Sequence, residues 1–211
     1  MRLVYIADPM CSWCYGFGPE LAKLLARHPD ATVDVVMGGL RPFNTQPTTA
    51  EFRAMLREHW HHVATASGLP FSEAALERPG FVYDTEPSCR AVVTARGMDA
   101  GKTLAYLKAV QAAFYRDGRD VTRGDELADI AGECGFERDT FRMRLDTESM
   151  RALTREEFAR TQTLGVGGFP TLGVLHGSQV YLVTSGYVTE DVLEYRLAEI
   201  EARVGPRAAN A

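Results

Sequence analysis

The chain has 211 residues, a formal net charge of −5, 45% hydrophobic and 24% charged residues, 19 glycines and 10 prolines. That length and ordinary globular usage fit one enzyme-sized domain, and they exclude a disordered, collagen-like or low-complexity chain. The acidic balance, with no dense Lys/Arg run, offers no field for nucleic-acid binding by counterion release, and no run approaches the roughly 18 apolar residues of a membrane span. The opening MRLVYIADPM has no apolar stretch followed by a small-residue cleavage site, so the expected compartment is the cytoplasm.

In chain order, Arg2 to Asp8 and Thr32 to Met37 are short apolar runs rich in β-formers, broken at their far ends by Pro9 and by Gly38-Gly39. Leu21, Leu24 and Leu25 recur at helical spacing between them, which predicts a strand, helix, strand opening. Thr48 followed by Glu51 reads as a capping box ahead of the helical stripe Phe52, Met55, Leu56, Trp60 and Val63. Cys89, Val92 and Val93 lie on one helical face, Leu104, Leu107, Val110 and Phe114 on a second, and Leu127, Ile130, Ala131 and Cys134 on a third. Gly97, Gly118 and Gly135 punctuate these helices, and a charged helix is expected from Ser149 to Leu164. Strands return at Thr171 to Leu175 and Gln179 to Val183, joined by His176-Gly177-Ser178. Thr189 is then expected to cap a last helix bearing Leu193, Leu197, Ile200 and Val204, and the tail GPRAANA to fray. No internal repeat or linker divides the chain. The segments 1–45 and 161–211 are therefore expected to form one α/β domain, with 46–160 as an inserted α-helical domain.

The chemistry concentrates at Cys11-Ser12-Trp13-Cys14, a CxxC pair that follows a strand and opens a helix. Unpaired amides and the helix dipole favour an anion there, which suits a thiolate. Cys11, at the helix start, is the candidate nucleophile; Cys14, a turn further in and shielded by the helix, is the candidate resolving thiol. The second signal is Gly167-Gly168-Phe169-Pro170-Thr171, a proline directly ahead of a strand. Pro170 cannot donate to a sheet ladder, and a cis Phe169–Pro170 bond would leave backbone groups free for an extended ligand chain. Asp8, three residues ahead of Cys11, can shuttle a thiol proton or cap the turn. Trp13, Tyr15, Phe17 and Phe43 supply aromatic surface for an apolar rim or for plain core. Cys89 and Cys134, on apolar faces, read as packing residues. His59 and His62, one helical turn apart, lack the further ligands a zinc site needs, so no metal is expected.

These motifs resemble the DsbA-like branch of the thioredoxin superfamily, and in particular its intracellular predicted protein-disulfide isomerases. The resemblance rests on DPMCSWCYGF at residues 8–17, DTEPSCRAVVTAR at 84–96 and GVGGFPTL at 165–172, and spans nearly the whole chain. It implies a thioredoxin-like α/β fold with a helical insertion, Cys11 as nucleophile, Cys14 as resolving thiol and Pro170 as the cis-proline beside them. Ser12-Trp13 departs from the dipeptides of the well-characterised oxidants and reductases, and Phe169 is bulkier than the Val or Thr usual before the cis-proline. Kappa-class glutathione transferases and hydroxychromene carboxylate isomerases, related branches of the fold, keep a serine where Cys11 stands and bind glutathione beside the insertion. Glu86 and Ser88 are the insertion residues placed to line such a groove.

The expected activity is thiol-disulfide exchange by a reductase or isomerase, with Trp13, Phe169 and Pro170 bordering the substrate and no cofactor beyond the cysteine pair. The partners expected are a disulfide-containing protein or small thiol and a reductant such as glutathione or a thioredoxin system, without nucleic acid or membrane. The competing readings are a glutathione-dependent transferase or isomerase of small electrophiles, and a non-enzymatic client-binding module.

Overall fold

The computed structural model describes residues 1–205; of the tail GPRAANA, all but Gly205 lies outside the described residues. Strand β1 (Arg2–Ala7) leads into helix α1 (Ser12–Arg27) and strand β2 (Thr32–Met37). Helices α2 (Ala50–Ser67), α3 (Glu86–Met98), α4 (Thr103–Tyr115), α5 (Gly124–Glu133), α6 (Arg138–Leu145) and α7 (Glu148–Thr163) follow. The chain then returns through β3 (Thr171–His176) and β4 (Gln179–Ser185) to α8 (Glu190–Val204). The four strands form one mixed sheet in the order β2-β1-β3-β4. This mixed sheet with a helical segment between β2 and β3 matches the thioredoxin-like α/β fold with a helical insertion that the resemblance implies.

Strand direction decides what this sheet can build. β1 and β2 are parallel, as a helical crossover requires, while β3 runs antiparallel to β1 and pairs Thr171 with Ile6. The ends of β1 and β2 and the beginning of β3 therefore meet at one end of the sheet. The β3–β4 hairpin turns on Gly177-Ser178, Gly177 taking the positive φ (59°) that a tight hairpin demands.

The helices between β2 and β3 share one buried cluster with the sheet. They also close its β2 edge, which would otherwise present unpaired backbone groups. Arg96 of α3 donates to the Val35 carbonyl at 2.7 Å, Glu157 of α7 accepts from the Met37 amide at 2.8 Å, and Thr161 donates to the Met37 carbonyl at 3.3 Å. Arg96 and Glu157 form an ion pair across this seam.

Several local expectations are corrected. The side chain capping α2 is Thr49, whose hydroxyl accepts from the Phe52 amide at 3.2 Å; Thr48 instead pairs its amide with the Phe81 carbonyl. Gly97 does not end a helix, because α3 continues to Met98. Cys134 sits at the C-cap of α5, half-buried, and packs against the core as expected. Thr189 occupies the N-cap position of α8 but makes no side-chain capping bond. The Glu20 carboxylate of α1 takes the Glu190 amide at 2.7 Å in its place, so a helix start that looked local is satisfied from across the fold.

Glu20 makes this junction testable. Burial would raise its carboxyl, but Lys23 and the Glu190 amide outweigh that and hold it below the usual glutamate range. A depressed carboxyl contributes stability that is present above its unfolded titration and lost as pH falls through the folded one. Glu20→Ala should cost about 1 kcal/mol at neutral pH. Urea unfolding should show that the gap to the parent protein shrinks once the solution is acid enough to protonate Glu20.

Candidate active site

Cys11 occupies the N-cap position of α1, where no side chain caps the helix and no acidic residue enters its first turn. The helix amides and dipole therefore act on the Cys11 sulfur without a competing carboxylate in that turn. The Cys11 Sγ lies 3.6 Å from the Phe169 carbonyl oxygen, to which the thiol donates. The Phe169–Pro170 peptide bond is cis. Pro170 is buried and its carbonyl accepts from the Gly186 amide at 2.7 Å, so of the two carbonyls Phe169 faces the cysteine and Pro170 ties the loop to the end of β4. Cys11 is 6% exposed and Cys14 0%, so of the two only the first can be approached from solvent. Burial, and then the neighbouring Cys11, holds the Cys14 thiol well above the ordinary cysteine range. All four cysteines are free thiols.

The bulky Phe169 has a place because Gly38 has no side chain. A Cβ on Gly38 would sit 2.1 Å from the Phe169 ring, closer than any contact can be. Gly38 at the end of β2 thus does more than stop a strand: it is the seat of the ring beside the dithiol, while Gly39 lies against Phe158.

Beneath Cys11 lies a buried polar network. The Cys11 amide donates to the Asp8 carbonyl at 3.1 Å, and the Asp8 carboxylate accepts from the amides of Met10 at 2.8 Å and Leu40 at 2.7 Å. Asp8 therefore caps the turn entering α1, one of its two expected roles, and joins it to the loop after β2. Burial raises its carboxyl, while the Leu40 and Met10 amides oppose that rise. The Met10 carbonyl, one peptide from the nucleophile, accepts from two phenols, Tyr83 and Tyr115, whose oxygens stand 3.3 Å apart. Both tyrosines come from the helical segment, and neither is legible from local sequence, because nothing nearby marks a residue whose partner lies 73 or 105 positions away.

The remaining expected site residues divide. Trp13 is half-buried, its ring 5.3 Å from that of Tyr187 and edge-on to His59 at 6.0 Å, and it borders the dithiol surface. Phe43 is exposed and holds φ at 63°, a left-handed conformation that a bulky residue rarely adopts, with its amide tied to Asp84 at 2.7 Å. Tyr15 and Phe17 are core residues, Tyr15 stacking on Tyr115 at 5.1 Å. Glu86 and Ser88 are buried in the first turn of α3, where Glu86 pairs with Arg90 at 2.8 Å and Ser88 donates to the Thr85 carbonyl at 3.0 Å. Among the described residues neither forms a hydrogen bond or ion pair with Cys11 or Cys14. Among the described residues, no group of three or more potential ligands forms around His59 and His62 or elsewhere, and no helix is long and apolar enough to cross a membrane.

The DSBA-like thioredoxin domain matches residues 3–198. The chain belongs to that family. A protein from Nitrosomonas europaea described as a putative protein disulfide isomerase is similar at 35% identity and a TM-score of 0.89, over 97% of this chain and 98% of its own. The cytosolic disulfide reductase DsbM from Pseudomonas aeruginosa is similar at 27% identity and a TM-score of 0.80, over 97% of this chain and 100% of its own. A 2-hydroxychromene-2-carboxylate isomerase shares the fold at 17% identity and a TM-score of 0.65, over 97% of this chain and 96% of its own. No curated protein matches the sequence. Family membership makes this chain a DsbA-like oxidoreductase.

The paired phenols generate a stability prediction. Either hydroxyl alone still satisfies the Met10 carbonyl, so Tyr83→Phe and Tyr115→Phe should each cost about 1 kcal/mol or less. The double variant strands a buried acceptor and should cost about 1–3 kcal/mol beyond the sum of the two, a coupling readable from a cycle of urea denaturation curves.

Proposed function

We propose that the protein is a disulfide reductase or isomerase that passes electrons from the Cys11–Cys14 dithiol to disulfides of proteins or small molecules. The observation that carries this reading is the Cys11 thiol at an uncapped helix start, 3.6 Å from the carbonyl of the residue before the cis-proline. The Cys11 thiolate attacks one sulfur of a substrate disulfide, the S–S bond breaks, and the departing sulfur leaves as a thiolate that takes a proton from water. Cys14 then loses its proton and attacks Cys11 Sγ, releasing the second substrate thiol and leaving a Cys11–Cys14 disulfide. The two electrons gained by the substrate come from this pair. Once Cys11 ionises it no longer donates to the Phe169 carbonyl, which becomes free to accept an amide from an extended substrate. Trp13 and Phe169 supply the apolar border of that strand-like site.

The pair is restored by two further thiols, from glutathione or a thioredoxin-type reductant, with no other cofactor. The similarity to DsbM, whose structure with GSH matches this chain at 28% identity and a TM-score of 0.76, supports glutathione as the small thiol and the cytosol as the compartment. A cytosolic glutathione pool keeps most such pairs reduced, which favours reduction or isomerisation over net oxidation.

Two measurements test the reading. Reduction of insulin or a small mixed disulfide should vanish in Cys11→Ser, whereas Cys14→Ser should complete the first step and accumulate an adduct on Cys11; turnover retained in Cys11→Ser would refute the mechanism. In limited alkylation at neutral pH followed by peptide mapping, Cys11 should label first although Cys134 is the more exposed thiol, because burial holds Cys134 above the usual cysteine range. First labelling of Cys134 or Cys89 would assign the nucleophile wrongly.

A further inference from the structure

Cys89 takes no part in the exchange described above, and its sequence context reads as core packing. The structure gives its thiol a specific partner. Cys89 and Asp8 are both 0% exposed, and Cys89 Sγ donates to Asp8 Oδ2 at 3.3 Å. Burial first, and then Asp8 itself, keeps the Cys89 thiol well above the ordinary range, so Cys89 stays protonated and donates to Asp8, while the Gly39 amide acts on its sulfur.

Every group bonded to the Asp8 carboxylate is a neutral donor. They are the amides of Met10 and Leu40 and the thiol of Cys89, with the Thr85 hydroxyl also acting on it. Burial pushes this carboxyl toward its protonated form, and each donor pulls it back. From α1, the Cys14 thiol faces the same charge, which adds to burial and Cys11 in disfavouring its ionisation. The phenols of Tyr83 and Tyr115 feel the Asp8 charge as well, and Arg41, from the loop after β2, acts on Tyr83. The site thus holds an acid that interacts with the resolving thiol, and a third cysteine whose thiol donates to that acid.

We propose that Cys89 is a positioning residue for the resolving step: by donating to Asp8 it keeps that carboxylate available to receive the Cys14 proton. The inference rests on the dithiol reading. In the mixed disulfide, the Cys14 S–H proton passes to Asp8 and the Cys14 sulfur forms a bond to Cys11 Sγ. The bond from Cys11 to the substrate sulfur breaks, the substrate leaves as a thiolate, and Asp8 returns its proton to solvent or to that thiolate. Removing the Cys89 donor moves the Asp8 titration upward, so less carboxylate is present at a given pH and resolution slows until the pH is raised.

The test mixes the reduced full chain with glutathione disulfide over the mildly acid to neutral range, quenches with acid and follows the glutathione adduct on Cys11 by mass spectrometry. On the acid side of the rate profile Cys89→Ala should slow decay of the adduct by about threefold to tenfold, the worth of one weak donor to a charged acceptor, and should shift the profile to higher pH. Cys89→Ser, which keeps a donor, should restore both rate and profile. In an Asp8→Asn background Cys89→Ala should change nothing further, a result that a merely structural role would not give. Cys89→Val serves if the alanine variant does not fold. Parental rates and profiles in the donor-free variants, or an equal slowing by Cys89→Ala in the Asp8→Asn background, would overturn the proposal. If the parent protein forms no adduct on Cys11 at all, the oxidoreductase reading fails, and the proposal with it.

Discussion

The antiparallel pairing of β3 with β1 is the constraint on which the site depends. Ile6 stands opposite Thr171, so the strand that runs into Cys11 ends where the strand that follows Pro170 begins. Cys11 and Phe169, separated by 158 positions, meet for that reason at 3.6 Å. Because β2 is parallel to β1, its exit arrives at the same end of the sheet and supplies Gly38, whose missing side chain leaves room for the Phe169 ring. Three strand ends, one helix start and one proline loop are brought together by a single choice of strand directions. Sites outside the carboxyl ends of parallel strands are a general consequence of α/β architecture, and here the antiparallel strand brings its own loop to that place.

The helical segment between β2 and β3 has two physical tasks. Arg96, Glu157 and Thr161 satisfy backbone groups on the β2 edge, which removes an open edge and fixes the helices against the sheet. Tyr83, Tyr115 and Cys89 reach under the dithiol and bind the Met10 carbonyl and the Asp8 carboxylate. A buried network of this kind specifies one arrangement, since each member left without a partner carries a desolvation cost. The peptide before the nucleophile is therefore held by donors from the helical layer as well as by its own turn.

Ring contacts link the residues that lead away from the dithiol. Trp13 leans on Tyr187, Phe169 lies over Gly38, and Phe158 packs under Gly39 and edge-on to Phe43 at 6.1 Å. Phe43 keeps its left-handed backbone because Asp84 accepts its amide, and its ring remains in solvent beside the loop that also carries Leu40.

The CxxC spacing, the strand before it and the proline ahead of a later strand are local patterns, and from them the fold family, the cysteine pair and Pro170 could be read in the sequence alone. Helix and strand periodicities placed β2 at Thr32–Met37 and β1, β3, β4 and α7 within a residue or two, because burial of one face imposes a period that needs no knowledge of the partner, whereas the short helix α6 went unread. Partners remote in sequence were decided by the tertiary structure. Thr189 has the residue type of a cap, yet Glu20 makes the bond; Glu86 and Ser88 lie in a motif of the family, yet pair within the helical layer; Cys89 reads as core, yet donates to Asp8. A hydrogen bond depends on where two groups arrive in space to within a few tenths of an ångström, and only the packed chain sets that, whereas a periodic pattern records no more than which side of an element avoids water.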